Sequence, residues 1–417
     1  MGKYSPTVIG RAQQLQAEGK SYRAICPILE QEFVGQTFDP DRLRKACKGS
    51  TLKAEPEGRK ELHYKKQIAI LAKKCRALEE EASLQEALLD IARDNIEALP
   101  TAPAPIPRKL DNERTEEVSV LDNSDFHIGE VVKGDEVGWI NSYDFSTYAK
   151  RLEHMFGAIH SIKSKLTGYE LKKLYINGLG DMVSGIIHQD LIENADDSVY
   201  EWVFNGALMY SQFLADLLTI YDEIEFTGVV GNHGRMQKDI RFKKRYVNWD
   251  YFFYQIVALI MMNNPRIKFD LPKSFWVVKE MGGRRQLLLH GDNIKSWMGI
   301  PWYGIQKAVY RLTELLAATS VFFDDVHLAH FHNLGSIQRV KGKMFINGSL
   351  IGGNDYAIGS LFLSSEPQQL FFGINPKKKR LSWRFDLDLV EADKIVKPRY
   401  KYSKTVVVAD QVRELLR

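Results

Sequence analysis

The sequence is poor in the features that would place it outside a reducing aqueous compartment. Of 417 residues only three are cysteine, Cys26, Cys47 and Cys75, and none has C-x-x-C spacing. That argues against a disulfide framework and against a thiolate zinc site. No run of about 18 apolar residues occurs, the nearest being "QIVALIMM", and no apolar signal core follows the opening "MGKYSPTVIGRAQQ". The expectation is a soluble, cytoplasmic protein with no membrane association. Internal repeats are lacking, and so is a strong charge bias: 57 Lys and Arg stand against 53 Asp and Glu, a formal net charge of +4. Such a balance permits a polyanionic partner without requiring one, so local clusters must decide. What is present, 44% hydrophobic and 26% charged residues, is globular material for two or three domains.

Residues 1–50 read as three short helices. Ser21 is an N-cap for the second, Asp39 with Pro40 opens the third, and Gly19 and Gly35 punctuate them. The third helix carries Arg42, Arg44, Lys45 and Lys48, which suits the recognition element of a helix-turn-helix DNA-binding module; a three-helix cap with a solvated basic face is the other reading. Pro27 interrupts the second helix on either reading. Over residues 51–99 apolar positions step by three and four from Tyr64 through Ile68, Leu71, Cys75 and Leu78 to Leu89, Ala92, Ile96 and Leu99. This predicts a coiled-coil helix that makes a homo-oligomer, dimer or higher, against the alternative of an amphipathic helix lying on the rest of the chain. Residues 100–112, with "PTAPAPIPRKL", predict an extended linker. Residues 113–395 form the main domain, and 396–417 a C-terminal tail or helix.

Within 113–395 short β-type runs alternate with longer helical ones, the pattern of an α/β domain. Strands are predicted at "EVSVLD", "KLYING", "EIEFTGVVG", "FWVVKE", "QLLLHGD", "DVHLAHF" and "KMFINGS", and helices at 143–166, 198–222 and 247–264. Five of the strands lead into polar clusters: Asp125 and His127; Asp181; Asn232 and His233; His290; His330 and His332. One Asp-x-His pair is more often a polar turn than a metal corner. Several clusters at strand ends, where side chains from neighbouring strands share a crevice, reverse that judgement. Carboxylate, imidazole and amide donors without thiolate suit Mn²⁺, Fe or Zn²⁺. Seven donors exceed the needs of one catalytic ion and fit two ions about 3.5–4 Å apart.

The ordered set D-x-H, G-D, G-N-H, H and H-x-H resembles the calcineurin-like metallophosphoesterases over roughly residues 118–350. The resemblance implies a β-sandwich flanked by helices, with two divalent metals, Mn²⁺ preferred and Fe, Zn²⁺, Ni²⁺ or Mg²⁺ as alternatives. It implies Asp125, His127, Asp181 and His332 on the first metal and Asp181, Asn232, His290 and His330 on the second, with Asp181 bridging. His233 would stand beside the scissile phosphate and serve the leaving oxygen. The sequence departs from the family pattern at Ser184, where a second Asp is frequent, at Gly234, where Asp or Glu is frequent, and at Ala329, where Gly is usual. None of these removes a ligand. "FINGSLIGGNDYA" is expected either as a last strand and Gly-rich loop near the metals or as a packing turn.

Two basic stretches suggest the substrate. Arg235, Lys238, Arg241, Lys243 and Lys244, with Arg245, follow His233, and Lys377, Lys378, Lys379 and Arg380 lie in a hairpin-like segment. Such clusters neutralise backbone phosphates. With the N-terminal module they favour a DNA phosphodiesterase, a nicking endonuclease or an exonuclease. The enzymatic alternative is a phosphomonoesterase on nucleotides or polynucleotide ends. A further alternative of another class is a non-catalytic DNA-binding assembly protein.

Overall fold

The computed structural model describes residues 4–49, 83–106, 114–185, 187, 198–236, 243–295 and 301–402. The chain divides into two compact units, Met1–Ala77 and Leu78–Arg417. In the first, α1 (Pro6–Ala17), α2 (Tyr22–Glu32) and α3 (Pro40–Gly49) pack mutually. Capping defines their starts: the Ser5 and Ser21 side chains accept from the Val8 and Ala24 N–H, and Asp39 Oδ1 accepts from Arg42 N–H at 2.8 Å. Val8, Ala12, Leu15, Ile25, Leu29 and Leu43 fill the centre. Helix α2 runs on through Pro27, forgoing one backbone bond close to its first turn.

The second unit holds two sheets face to face. Strands β1 (Thr115–Asn123), β2 (Tyr169–Gly178), β3 (Glu223–Gly228) and β4 (Ile267–Asp270) run parallel. The hairpin of β10 (Gln368–Asn375) and β11 (Arg380–Asp388) adds antiparallel on β1. The second sheet orders as β5 (Trp276–Met281), β6 (Arg284–Leu289), β7 (Asp325–Leu328), β9 (Lys343–Ile346) and β8 (Gly335–Gln338), with β6, β7 and β9 parallel. Alternation explains the layering. Val118, Val120, Leu288, Phe345, Phe372 and Ile374 meet between the sheets, while Leu287, Leu289, Val326, Leu328 and Met344 turn outward under α8 (Pro301–Ala317). The other face of the first sheet is covered by α5 (Phe145–Lys165), α6 (Val199–Leu217) and α7 (Trp249–Ile260). A capping box at Ser198 and Glu201 starts α6.

Three boundary segments are described in part. The described end of the heptad seam, helix α4 (Ser83–Asn95), lies against this unit. Leu88, Leu89 and Ala92 are buried in the core of this unit against α7, and Gln85 Nε2 donates to Gln255 Oε1 at 3.1 Å. The earlier part of the seam, Tyr64 to Ala82, lies outside the described residues. Residues 100–106 are extended but docked rather than free: Thr101 Oγ1 donates to Asn263 O, Ala102 N–H to Asn264 Oδ1, and Arg266 to the Ala102 and Pro103 carbonyls. A proline-rich segment has few N–H groups of its own, so its carbonyls take an arginine instead. The tail is likewise held as far as 402, with Tyr400 buried and its hydroxyl donating to Asp216 Oδ2 at 2.7 Å; residues 403–417 lie outside the described residues. Strands β4, β8 and β10, helix α8 and the short α9 (Asp355–Leu361) were not expected. β4 and β8 span only four residues each, too short for a period to show.

Leu89 is 6% exposed. Leu89→Ala is expected to destabilise the second unit by roughly 2–5 kcal/mol, read as a lower urea midpoint at unchanged slope. An unchanged midpoint would mean that α4 does not belong to this core.

Candidate metal centre

Every ligand candidate leaves the carboxyl end of a strand. Asp125 and His127 follow β1, Asp181 follows β2, Asn232 and His233 follow β3, His290 follows β6, and His330 and His332 follow β7. Because parallel strands of both sheets end on one side, the five loops meet. His290 Nε2 lies 2.9 Å from Asp181 Oδ2 and 3.1 Å from Asn232 Oδ1. His332 Nε2 lies 3.3 Å from Asp125 Oδ1. The His127 ring is 4.4 Å from that of His233 and 5.2 Å from that of His332, and His290 is 5.2 Å from His330. Three triplets have ligand atoms mutually within 4.8 Å: Asp125, His127 and His332; His127, Asp181 and His233; Asp181, His290 and His330. Asp181 belongs to two of them, the placement a bridging carboxylate needs. His127 also belongs to two.

The backbone bends unusually to achieve this. Asp125, His127, Asp181, His330 and His332 have φ of 52°, 48°, 52°, 72° and 57°, the left-handed region that costs a non-glycine residue about 1 kcal/mol or more. Gly180 shares it at 91°. Gly231 serves differently: a Cβ there would stand 2.1 Å from Asp181 Oδ1, so it lets two loops press together rather than turn. Gly234 stands where a Cβ would meet Asn248 Oδ1 at 2.1 Å, which accounts for one departure from the family pattern.

Two residues that carry no motif in the sequence hold these loops. Asp250, in the first turn of α7, is fully buried and accepts four backbone bonds: Oδ2 from Asp181 and Gly231, Oδ1 from Met182 and Val183, all at 2.8–3.1 Å. Burial and the Asp181 charge push its carboxyl up to about 6, while the backbone N–H groups pull the other way. The one local signal is "NWD", a capping Asn followed by an acid. Glu130, three residues after His127, has Oε2 3.2 Å from His127 Nδ1, accepts from Ser184 Oγ at 3.2 Å, and takes Asn354 Nδ2 at 2.8 Å on Oε1. The Gly-rich loop after β9 thus does lie against the centre, and its Leu350 and Ile351 N–H groups donate to Asp125 O.

The donor atoms fit a cation. Asp125 Oδ1 and both ring nitrogens of His127 are buried without a hydrogen bond, although Asp125 Oδ1 and His127 Nδ1 each have an oppositely charged neighbour within 3.3 Å. Orphaned lone pairs of this kind are stabilised by a metal. His290 Nδ1 lies 2.8 Å from the Leu179 carbonyl, a pure acceptor, so it carries hydrogen and turns Nε2 toward Asp181. Burial alone would raise the Asp181 carboxyl, but the charges of His290 and His233 hold it well below the usual range. Against the pull of burial, Glu130 lifts His127 to about 9 and Asp181 lifts His290 to about 10. Burial and the His290 charge lower His330 to about 4.

The basic candidates scatter. Arg42, Arg44, Lys45 and Lys48 share the exposed side of α3, with Leu43 and Cys47 buried opposite. Arg235 is half-buried and donates from Nε to Asn232 O at 2.9 Å, beside the centre. Lys243 and Lys244 are exposed; Lys238 and Arg241 lie outside the described residues. Arg245 pairs with Asp292. Lys377 to Arg380 occupy the β10–β11 turn, and since β10 is antiparallel to β1 with Val118 opposite Ile374, that turn is at the far end of the sheet from the ligands.

Metal binding needs neutral imidazole, whereas the Glu130 and Asp181 charges favour the protonated form of His127 and His290. Adding Mn²⁺ at pH 8 in weak buffer is therefore expected to release protons, and affinity to rise with pH. Proton release measured with an indicator dye should fall, with the His127 share remaining, in His290→Ala; metal binding without proton release would mean that these imidazoles are already neutral at pH 8. Asp250→Ala should lower metal affinity at least tenfold by freeing the Asp181 and Gly231 loops, checked by calorimetry.

No protein-family model matches the chain, and no curated protein matches it. Among solved structures it is similar to an archaeal phosphodiesterase, at 12% identity with a TM-score of 0.28, covering 64% of this chain and 99% of that one. It is also similar to a hypothetical protein of Pyrococcus horikoshii, at 13% identity and a TM-score of 0.33 over 72% and 94% of the two chains. A third is zinc-complexed Vps29 of Entamoeba histolytica, at 12% identity and a TM-score of 0.26 over 65% and 99%. At these values the functional reading rests on the centre's own geometry.

Proposed function

We propose that the second unit is a calcineurin-like metallophosphoesterase that hydrolyses DNA phosphodiesters, nicking or resecting the strand. The observation that carries the reading is the meeting of seven nitrogen and oxygen donors from both sheets around Asp181. Asp125, His127, Asp181 and His332 would hold one divalent ion, and Asp181, Asn232, His290 and His330 the other, with Mn²⁺ the preferred metal. When bound, the pair of cations supplies hydroxide near neutral pH and offsets charge on the phosphate. The chain does the rest. Asp181 fixes His233 by accepting its backbone N–H at 2.7 Å, and the His233 ring stands 4.4 Å from that of His127, half-buried at the mouth. From there it would hand a proton to the departing oxygen. Arg235, next but one to His233, supplies a fixed positive charge for a flanking phosphate.

Support for a nucleic acid comes from three directions. The exposed basic side of α3 offers phosphate contacts. Lys243 and Lys244 are exposed on the segment that follows His233. Exposed rings also lie on neighbouring segments: Trp139 is 80% and Phe362 90% exposed, both in left-handed backbone. Asn141 donates to the Ile351 and Gly353 carbonyls and Asn354 to Glu130, tying both ring-bearing segments to the His127 loop. Rings held in water beside a phosphate site suit base stacking.

Supercoiled plasmid with Mn²⁺ is expected to give nicked or degraded product, abolished by EDTA and in Asp181→Ala and reduced at least a hundredfold in His233→Ala. Trp139→Ala should weaken binding of single-stranded DNA by about 1–3 kcal/mol without loss of metal. Turnover of an aryl phosphate with intact plasmid would replace this reading with a phosphomonoesterase, and tight DNA binding without hydrolysis in any divalent metal would replace it with an assembly protein.

A further inference from the structure

One layer beneath the ligands, a polar chain crosses the space between the sheets. Asn177 Nδ2 donates to Asp122 Oδ1 at 2.7 Å; Asp122 Oδ2 lies 2.7 Å from His327 Nδ1; His327 Nε2 lies 2.8 Å from Gln286 Oε1. All four side chains are fully buried. The His327 ring is stacked against Phe345 and Phe372, centroids at 4.9 and 5.4 Å. Stability gives no reason for such a chain. Gln286 Nε2 and Asn177 Oδ1 remain without partners, and a buried ionic or polar cluster is commonly replaceable by apolar side chains without loss of stability.

Its position does give a reason. The four residues sit on β2, β1, β7 and β6, the strands that end in Asp181, Asp125, His330 and His290. Asp122 and His327 stand three residues before Asp125 and His330; Asn177 and Gln286 stand four before Asp181 and His290. Ligands from the two sheets must meet to within a few tenths of an ångström, yet apolar faces tolerate sliding. Hydrogen bonds across the gap do not. We propose that Asp122 and His327 are positioning residues, whose bond across the sandwich fixes the stagger of β1 against β7 and thereby the separation of Asp125 from His330 and His332. The proposal rests on the reading of the site as a metal centre.

The test measures Co²⁺ affinity and visible absorption, which reports ligand geometry, alongside urea unfolding of the full chain. Asp122→Asn keeps the shape, and the double variant Asp122→Asn with His327→Phe keeps the aromatic stack and leaves no unpaired charge. Both are expected to unfold cooperatively but to bind Co²⁺ about 10–100-fold more weakly, with an altered spectrum. A control removes a buried pair on the same two strands of the second sheet at their opposite end, Arg284 and Asp325, 2.6 Å apart, as Arg284→Met with Asp325→Leu. The control should keep both the Co²⁺ affinity and the Co²⁺ spectrum, whatever its urea midpoint. Wild-type affinity and spectrum in the Asp122 and His327 variants, or an equal loss in the control, would overturn the proposal. A wild-type protein that binds no Co²⁺, Mn²⁺ or Zn²⁺ would overturn the metal reading itself and the proposal with it.

Discussion

The structure of the second unit is organised around one buried carboxylate. Asp181 is 1% exposed, yet its two oxygens face His290 Nε2 and the His233 N–H, and its own N–H is held by Asp250. A carboxylate in this position is tolerable only while positive charge surrounds it. Supplying that charge dictates much else: histidines must arrive from the second sheet, so the sheets must face each other with their strand ends aligned. The sandwich can thus be understood as the scaffold that brings His290, His330 and His332 to Asp181 and Asp125.

That arrangement is expensive in backbone conformation. Five non-glycine residues in left-handed geometry, at about 1 kcal/mol or more each, together amount to a sizeable part of a stability margin of roughly 5–15 kcal/mol. The offset lies close by. Asp250 gathers four N–H groups that the sharp turns leave without strand partners, and the Asp125 carbonyl takes the Leu350 and Ile351 N–H groups. Behind these bonds stand α6 and α7, with Phe213, Phe252, Phe253 and Tyr254 fully buried. Strained loops at the surface of a dense core are what an α/β sandwich can support.

The candidate ligands were legible as a set because each combines two local signals, an apolar run and a polar residue at its end, and because the set recurs. The strands β1, β2, β3, β6 and β7 were found for the same reason. Asp250 and Glu130 were not found, since both act on backbone or on a ligand rather than on a cation, and their chemistry appears only when distant loops are brought together. The end of the heptad seam shows what a period leaves open. Leu89 and Ala92 repeat as they would in a two-chain seam, but a period shows only that a helix has an apolar face, not what covers it; α7 covers this one. The place of the basic turn at Lys377 to Arg380 was not legible, because charge density carries no topology. The antiparallel register of β10 sends it to the opposite end of the sheet.

These arrangements bear on how the centre is assembled. Asp250, Glu130 and the Asp122–His327 chain position the ligand loops through bonds among the protein's own atoms. The histidines that a cation would engage lie against Asp181 and Glu130, whose charges favour the imidazolium form. Metal uptake in such a centre would exchange protons for cations between loops that these bonds already join. It would not need to fold the chain around the ion, as happens in small domains whose only core is the metal. In the proposed phosphoesterase the energy of metal binding would then be left for the substrate's phosphate rather than absorbed by ordering the loops, which is the condition for preorganised electrostatic catalysis.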